Sequence, residues 1–255
     1  MSLFTALRPR SGRPEYFFTI LNKGNILDIK DQYYDIIEDT IDFLKTGFAE
    51  RKKRTYPDWK NEPGLDQEAL KSDECARFDR DIRVCTRCRL YQDRLNAVPG
   101  KGNINADVVL VGEGPGEMED VKGEPFVGKA GQLLTSMLAA IQLKREDVYI
   151  TNIVKCRPPE NRTPLPDEIL SCITFLEGQI ELINPSIICC LGWTAAKSML
   201  GSDLSLSRLR GKFHRYKNIP LLPTYHPAAI LRFPEKYKRA AWTDLKMLRD
   251  FLKNM

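Results

Sequence analysis

The sequence contains no run of about 18 apolar residues, which excludes a membrane-spanning helix as the element it is built around. Its first stretch, MSLFTALRPRSGRPEY, lacks the apolar core and small-residue cleavage site of a secretory signal. A cytoplasmic protein with no membrane partner is therefore expected. Neither GxxxxGK(S/T) nor GxGxxG occurs, so two common phosphate cradles are missing. No internal repeat is visible. Histidine is scarce, with 2 residues, His214 and His226. The 7 cysteines of an intracellular chain do not suggest a disulfide framework, which leaves metal ligation or plain burial as their uses.

What is present is enough for one substantial core with a remainder: 255 residues, 42% hydrophobic and 29% charged. A net charge of +5 favours an anionic partner such as nucleic acid without requiring one. Residues 1–29 show no sustained period. From Lys30, the apolar residues Tyr33, Ile37, Ile41, Leu44 and Phe48 recur at three and four, which predicts an amphipathic helix. The run Arg51, Lys52, Lys53 and Arg54, followed by Tyr56, Pro57, Trp59 and Pro63, reads as a solvated basic linker able to touch phosphates. Residues 1–65 are thus expected to form a mainly helical extension of unassigned role, available to a protein partner, and residues 66–255 the main domain.

Asp66 is placed to cap a helix running to about Arg83, directly before the CTRC segment at 85–88. Val98–Gly102 reads as a turn. Strands are predicted at Val108–Val111, Val148–Val154, Ile187–Leu191 and Leu221–Leu222. Helical stretches separate or follow them at Lys129–Ile141, Pro166–Ile183, Trp193–Leu200 and Lys236–Lys253. That alternation predicts an α/β fold, three layers deep, around a central four-stranded parallel sheet.

The chain is organised around Val108–Gly131, where an apolar β-branched run gives way to a loop rich in glycine and carboxylates. Ligands of open α/β sheets bind outside the carboxyl ends of strands, and glycines there let backbone N–H groups approach them. An ordinary Gly/Pro turn accounts for the same composition. Cys85 and Cys88 are close enough to share one metal centre, and Cys156 and Cys172 are the candidates to complete it, one after the second strand and one early in the next helix. Such a thiolate set suits zinc or an iron–sulfur cluster, and spacing does not choose between them. Cys189 and Cys190 read as core hydrophobes, and Cys75 has no assignment.

Four motifs carry a family resemblance. They are GEGPGEMED (112–120), GEPFVGKAG (123–131), TNIVKCRPP (151–159) and HPAAILR (226–232). With them, the chain from about Leu70 onward resembles a family 4 uracil-DNA glycosylase. The resemblance implies a monofunctional repair enzyme that flips uracil out of single- or double-stranded DNA and hydrolyses its N-glycosidic bond. It further implies a monomer with a 4Fe-4S cluster on Cys85, Cys88, Cys156 and Cys172, rather than zinc. Residues 1–65 lie outside it.

By the same resemblance, Gly114, Glu119, Phe126 and Asn152 contact the base. The Asn152 amide would pair with uracil O4 and N3–H, and cytosine presents the opposite pattern. Phe126 would stack on the ring and Glu119 would exclude a methyl at C5. His226 would donate to uracil O2 as the base departs, and Glu113 would activate water or steady the charge on the sugar. Ile230 or Leu231 would fill the vacated stack, with Arg232 on a phosphate. From position alone, Phe126 reads as a core aromatic and His226 as a solvated turn residue. The better-known branch has an aspartate where this chain has Gly114, so its mechanism does not carry over unchanged. A branch that bonds covalently to abasic DNA has a basic insertion and an added histidine where this chain reads ENRTPLP (160–166). The rival reading is a non-catalytic iron–sulfur DNA-binding subunit of a replication or repair complex.

Because every matched motif lies downstream of residue 65, a chain starting at Asp66 should excise uracil from short oligonucleotides at close to the parent rate. Its binding should be weaker and less dependent on salt, as phosphate contacts from Arg51 to Arg54 are lost. A folded truncation without activity would place the extension in the active site.

Overall fold

The structure is a computed structural model and describes residues 67–255. The predicted helix from Lys30, the basic run at Arg51 to Arg54 and the cap at Asp66 lie outside the described residues. The chain enters through helix α1 (Gln67–Arg83) and reaches a six-stranded sheet. In order along the chain follow β1 (Lys101–Gly102), β2 (Val108–Gly112), α2 (Glu117–Lys122), α3 (Lys129–Ala140), β3 (Tyr149–Asn152), α4 (Pro166–Ile183), β4 (Ile187–Leu191), α5 (Trp193–Leu200), α6 (Leu206–Leu209), β5 (His214–Tyr216), β6 (Ile219–Thr224), α7 (Pro227–Arg232) and α8 (Pro234–Lys253).

The strands lie in the order β1-β3-β2-β4-β6-β5. Strands β3, β2, β4 and β6 are parallel and form the predicted central group. The edges are an addition to the expected sheet: β1 joins β3 antiparallel, and β5 joins β6 antiparallel. A strand was not expected at β1 because its glycines read as a turn. Gly102 has φ +140°, and a Cβ there would lie 2.0 Å from the Val148 carbonyl oxygen, so only glycine allows this backbone approach. The β5 strand is short and partly exposed, without the apolar run that marks a buried strand.

Alternate residues of each central strand feed opposite faces. Val109, Val111, Ile188, Cys190 and Leu221 pack with Ile82 of α1, with Leu176, Ile180 and Ile183 of α4, and with Ala195, Ala196 and Met199 of α5. Val108, Leu110, Ile187, Cys189 and Leu222 pack on the other face with Leu134 and Leu138 of α3, Ile230 of α7, and Leu245 and Leu248 of α8. The result is the predicted α/β/α sandwich, and Cys189 and Cys190 are core residues of its two layers. Among the described residues no helix is long and apolar enough to cross a membrane.

Two buried carboxylates set the ends of elements that matter below. Glu168, in the first turn of α4, accepts the Leu165 backbone N–H at 2.7 Å and a two-pronged bond from Arg162 at 2.6 and 2.8 Å. This fixes the loop between β3 and α4. Asp244 of α8 accepts from Arg210 at 2.6 and 2.8 Å and from the Thr224 hydroxyl at 2.8 Å, which anchors the end of β6 two residues before His226.

Candidate active site

Parallel pairing of β2 with β3 sets Gly112 opposite Asn152, and the ladder runs on past both strand ends. The Ile153 N–H donates to Gly112 O at 2.9 Å and the Val154 N–H to Glu113 O at 3.1 Å. Asn152 and Glu113 are therefore held side by side where the sheet opens into the glycine loop. Asn152 is 1% exposed and its side-chain Oδ1 has no hydrogen-bond partner. A buried acceptor left unpaired costs about 1–3 kcal/mol, an arrangement expected where a ligand supplies the missing donor.

Phe126 closes over this acceptor. A Cβ on Gly112 would lie 2.3 Å from Asn152 Oδ1 and 2.8 Å from Phe126 Cζ, so glycine at that position is what lets ring, amide and backbone meet. Phe126 is 6% exposed and has φ +52°, a left-handed conformation that bulky residues seldom adopt. Glu119 holds it there: its Oε1 accepts the N–H groups of Val127 at 2.8 Å and Gly128 at 2.9 Å. Arg145 donates to the carbonyl of Pro125 from the other side. Gly114 packs on Val154 and Pro158.

His226 enters from the end of β6, with its ring centroid 5.5 Å from that of Phe126. It caps α7, its Nδ1 accepting the Ala228 N–H at 3.1 Å. With Nδ1 an acceptor, the ring proton of the neutral imidazole is on Nε2, which is then a donor. Burial pushes its pKa down to about 4, against a smaller pull upward from the Glu119 carboxylate. Opposite, the Thr194 hydroxyl donates to Glu113 Oε2 at 2.5 Å. Thr194 was not anticipated from the sequence; its only signal is its place in the first turn of a helix that starts just after a parallel strand.

The segment after His226 separates two residues that the sequence could not. Ile230 is 5% exposed and packs in the core against α3 and α8, so it is not available to DNA. Leu231 is 49% exposed, Arg232 is exposed, and Phe233, which sequence reasoning missed, is 51% exposed. A helix points successive residues 100° apart, which is why neighbours with equal hydrophobicity take opposite environments.

Cys85, Cys88, Cys156 and Cys172 line one small cavity, together with Ile82, Lys155 and Phe175. Arg94 Nη1 donates to Cys156 Sγ at 2.8 Å, and the Lys155 N–H donates to Cys172 Sγ at 3.3 Å. Burial pushes the Cys156 thiol up to about 11 despite Arg94. Among the described residues no three His, Cys, Asp or Glu side chains converge closely enough to hold a single metal ion. Four soft donors that line one cavity without converging on a single ion fit a polynuclear cluster better than tetrahedral zinc. Cys75 is half-buried beside Tyr149.

The family profile described as the uracil DNA glycosylase superfamily matches residues 99–246. The chain is 49% identical over 164 residues to the type-4 uracil-DNA glycosylase of Archaeoglobus fulgidus, covering 61% of this chain and 82% of that protein. It is 45% identical over 175 residues to the type-4 uracil-DNA glycosylase of Thermotoga maritima, covering 68% and 91%. Identity to the type-4 uracil-DNA glycosylase of Saccharolobus solfataricus is 49% over 163 residues, covering 60% and 76%.

The half-buried imidazole makes a prediction that two histidines render easy to read. In an NMR titration the His226 ring should stay neutral down to about pH 4, with no inflection near the ordinary value of about 6.5. Between those values the unfolded chain takes up a proton that the folded site refuses, so this residue's contribution favours folding less as pH falls through that window. An inflection at about pH 6–7 assigned to His226 by its loss in His226→Ala would contradict the burial argument.

Proposed function

The chain belongs to the uracil-DNA glycosylase superfamily, in its type-4 branch, and on that premise we propose how its residues divide the excision of uracil from DNA. The reaction breaks the bond between uracil N1 and the sugar C1′ and adds water to C1′, leaving an abasic site. The observation that carries the assignment is the unpaired Asn152 Oδ1, buried under Phe126, whose ring centroid lies 5.5 Å from that of His226.

A uracil extruded from the stack enters between Phe126 and the end of β3. Its N3–H supplies the donor that Asn152 Oδ1 lacks, and the Asn152 amide N–H answers O4. Cytosine offers an acceptor at N3 and a donor at the exocyclic position, and so meets two clashes. Glu119, bound to the Val127 and Gly128 amides, holds Phe126 over the ring and bounds the space at C5. As the N1–C1′ bond lengthens, its electron pair moves onto the base and negative charge grows at O2. The Nε2–H of neutral His226 stabilises that charge without a change in its own protonation. The sugar becomes positive at the same moment. Glu113, oriented by Thr194, stabilises it and receives a proton from the attacking water.

Leu231 fills the vacated stack, and Arg232 sits at a phosphate. Cys85, Cys88, Cys156 and Cys172 would hold the 4Fe-4S cluster. Bound there, the cluster cross-links three separated segments of chain and supplies no chemistry at the base. Residues 66–255 are the catalytic domain and residues 1–65 a separate extension.

Glu113→Gln and His226→Ala should each slow single-turnover excision by on the order of 10²-fold, roughly 3 kcal/mol of transition-state stabilisation, with DNA affinity little changed. Both groups act on charge that appears only as the bond breaks. Parent-like rates in both variants would show that the catalytic residues are others. A parent that removes no uracil at all would favour the non-catalytic reading.

A further inference from the structure

Among the described residues Lys155 is the largest fully buried side chain, at 1% exposed. Its Nζ donates to the Thr151 hydroxyl oxygen at 2.5 Å, to Gln179 Oε1 at 2.7 Å and to the Asn152 carbonyl oxygen at 2.9 Å. Those acceptors are free to receive. Thr151 spends its own proton on the Pro99 carbonyl at 2.9 Å, and Gln179 Nε2 donates to the same carbonyl at 3.0 Å and to Tyr149 Oη at 3.2 Å. Three acceptors match the three protons of an ammonium, whereas a neutral amine would leave one oxygen facing a lone pair. The group is therefore a cation held in the core by neutral oxygens alone.

A buried cation needs a balancing charge nearby. Among the described residues, the acidic groups near enough to act on Lys155 are Cys172 and Asp79. Lys155 also lines the thiol cavity and gives its backbone N–H to Cys172 Sγ at 3.3 Å. Cluster potentials respond to net charge and to hydrogen bonds at sulfur, and partners outside the ligand shell tune them. We propose that the Lys155 ammonium is the fixed counter-charge of the four-thiolate cluster and, through the Asn152 carbonyl and Thr151 hydroxyl, the positioning residue that couples the cluster to the strand end reading the base. This rests on the cluster assignment made for Cys85, Cys88, Cys156 and Cys172.

The test uses the full chain with its cluster, as parent, Lys155→Met and Gln179→Glu. The first variant removes the charge at similar length. The second sets a carboxylate against the ammonium and leaves Lys155 in place. Iron per chain is measured first, then the cluster reduction potential, then single-turnover excision. Both variants should hold iron at the parent level and show a reduction potential more negative than the parent's. Excision by Lys155→Met should fall on the order of tenfold at saturating enzyme, the usual scale for loss of such a partner, with DNA affinity retained. If Lys155→Met does not fold, the potential of Gln179→Glu decides. A parent-like potential in a folded, iron-loaded variant overturns the counter-charge role. A parent protein that takes up no iron overturns the cluster assignment itself, and the two failures are told apart by the parent's iron content.

Discussion

The continuous pairing of β2 with β3 beyond their formal ends is the constraint on which the rest of the site depends. Two backbone hydrogen bonds, from Ile153 to Gly112 and from Val154 to Glu113, keep the chains together where each would otherwise turn away. They place Asn152 and Glu113 at one opening and carry β3 onward so that Lys155 and Cys156 fall within a few residues of the base pocket. The proposed base reader, the proposed catalytic carboxylate and the thiol cavity are therefore built on one stretch of ladder. Local strain at Phe126 and an unpaired acceptor at Asn152 persist because this scaffold, and the Glu119 clasp on the following loop, hold them in place.

The electrostatics of the site follow from burial rather than from net charge. A half-buried imidazole is kept neutral with its donor aimed away from its own backbone bond, as the proposed role at a departing anion requires. Twelve residues lie between Glu113 and Phe126 along the chain, yet Glu119 bridges that loop with two short charge-assisted bonds. On the other side of β3, a cation is buried next to thiols. The protein thus surrounds a reaction that separates charge with groups whose charges are already fixed, so little reorganisation is required as the bond breaks.

Much of this was legible in the sequence, for physical reasons that can be named. The central strands announce themselves because strands buried on both faces need continuous apolar runs, and VVLV and IICCL are such runs. The four cysteines were legible as a candidate set, although only the fold shows that they line one cavity. Edge strands β1 and β5 were not legible, since pairing there depends on the close approach of Gly102 and on a polar hairpin rather than on hydrophobic pattern. Ile230 and Leu231 are indistinguishable by residue type, and only the rotation of α7 separates the buried one from the exposed one. Thr194 and Lys155 were missed because their roles are contacts made across 81 and 24 residues of chain, which no local spacing encodes.

A single amide, that of Asn152, is the proposed reader of the base. Asn152→Asp keeps the shape and one acceptor but sets a carboxylate oxygen against uracil O4. Its single-turnover rate on uracil-containing oligonucleotide, measured on folded protein with parent-level iron, is the most direct test. The rate should fall by at least about tenfold, since a buried polar group turned from partner to repeller discriminates at that scale or beyond. Excision of uracil at the parent rate by this variant would contradict the account.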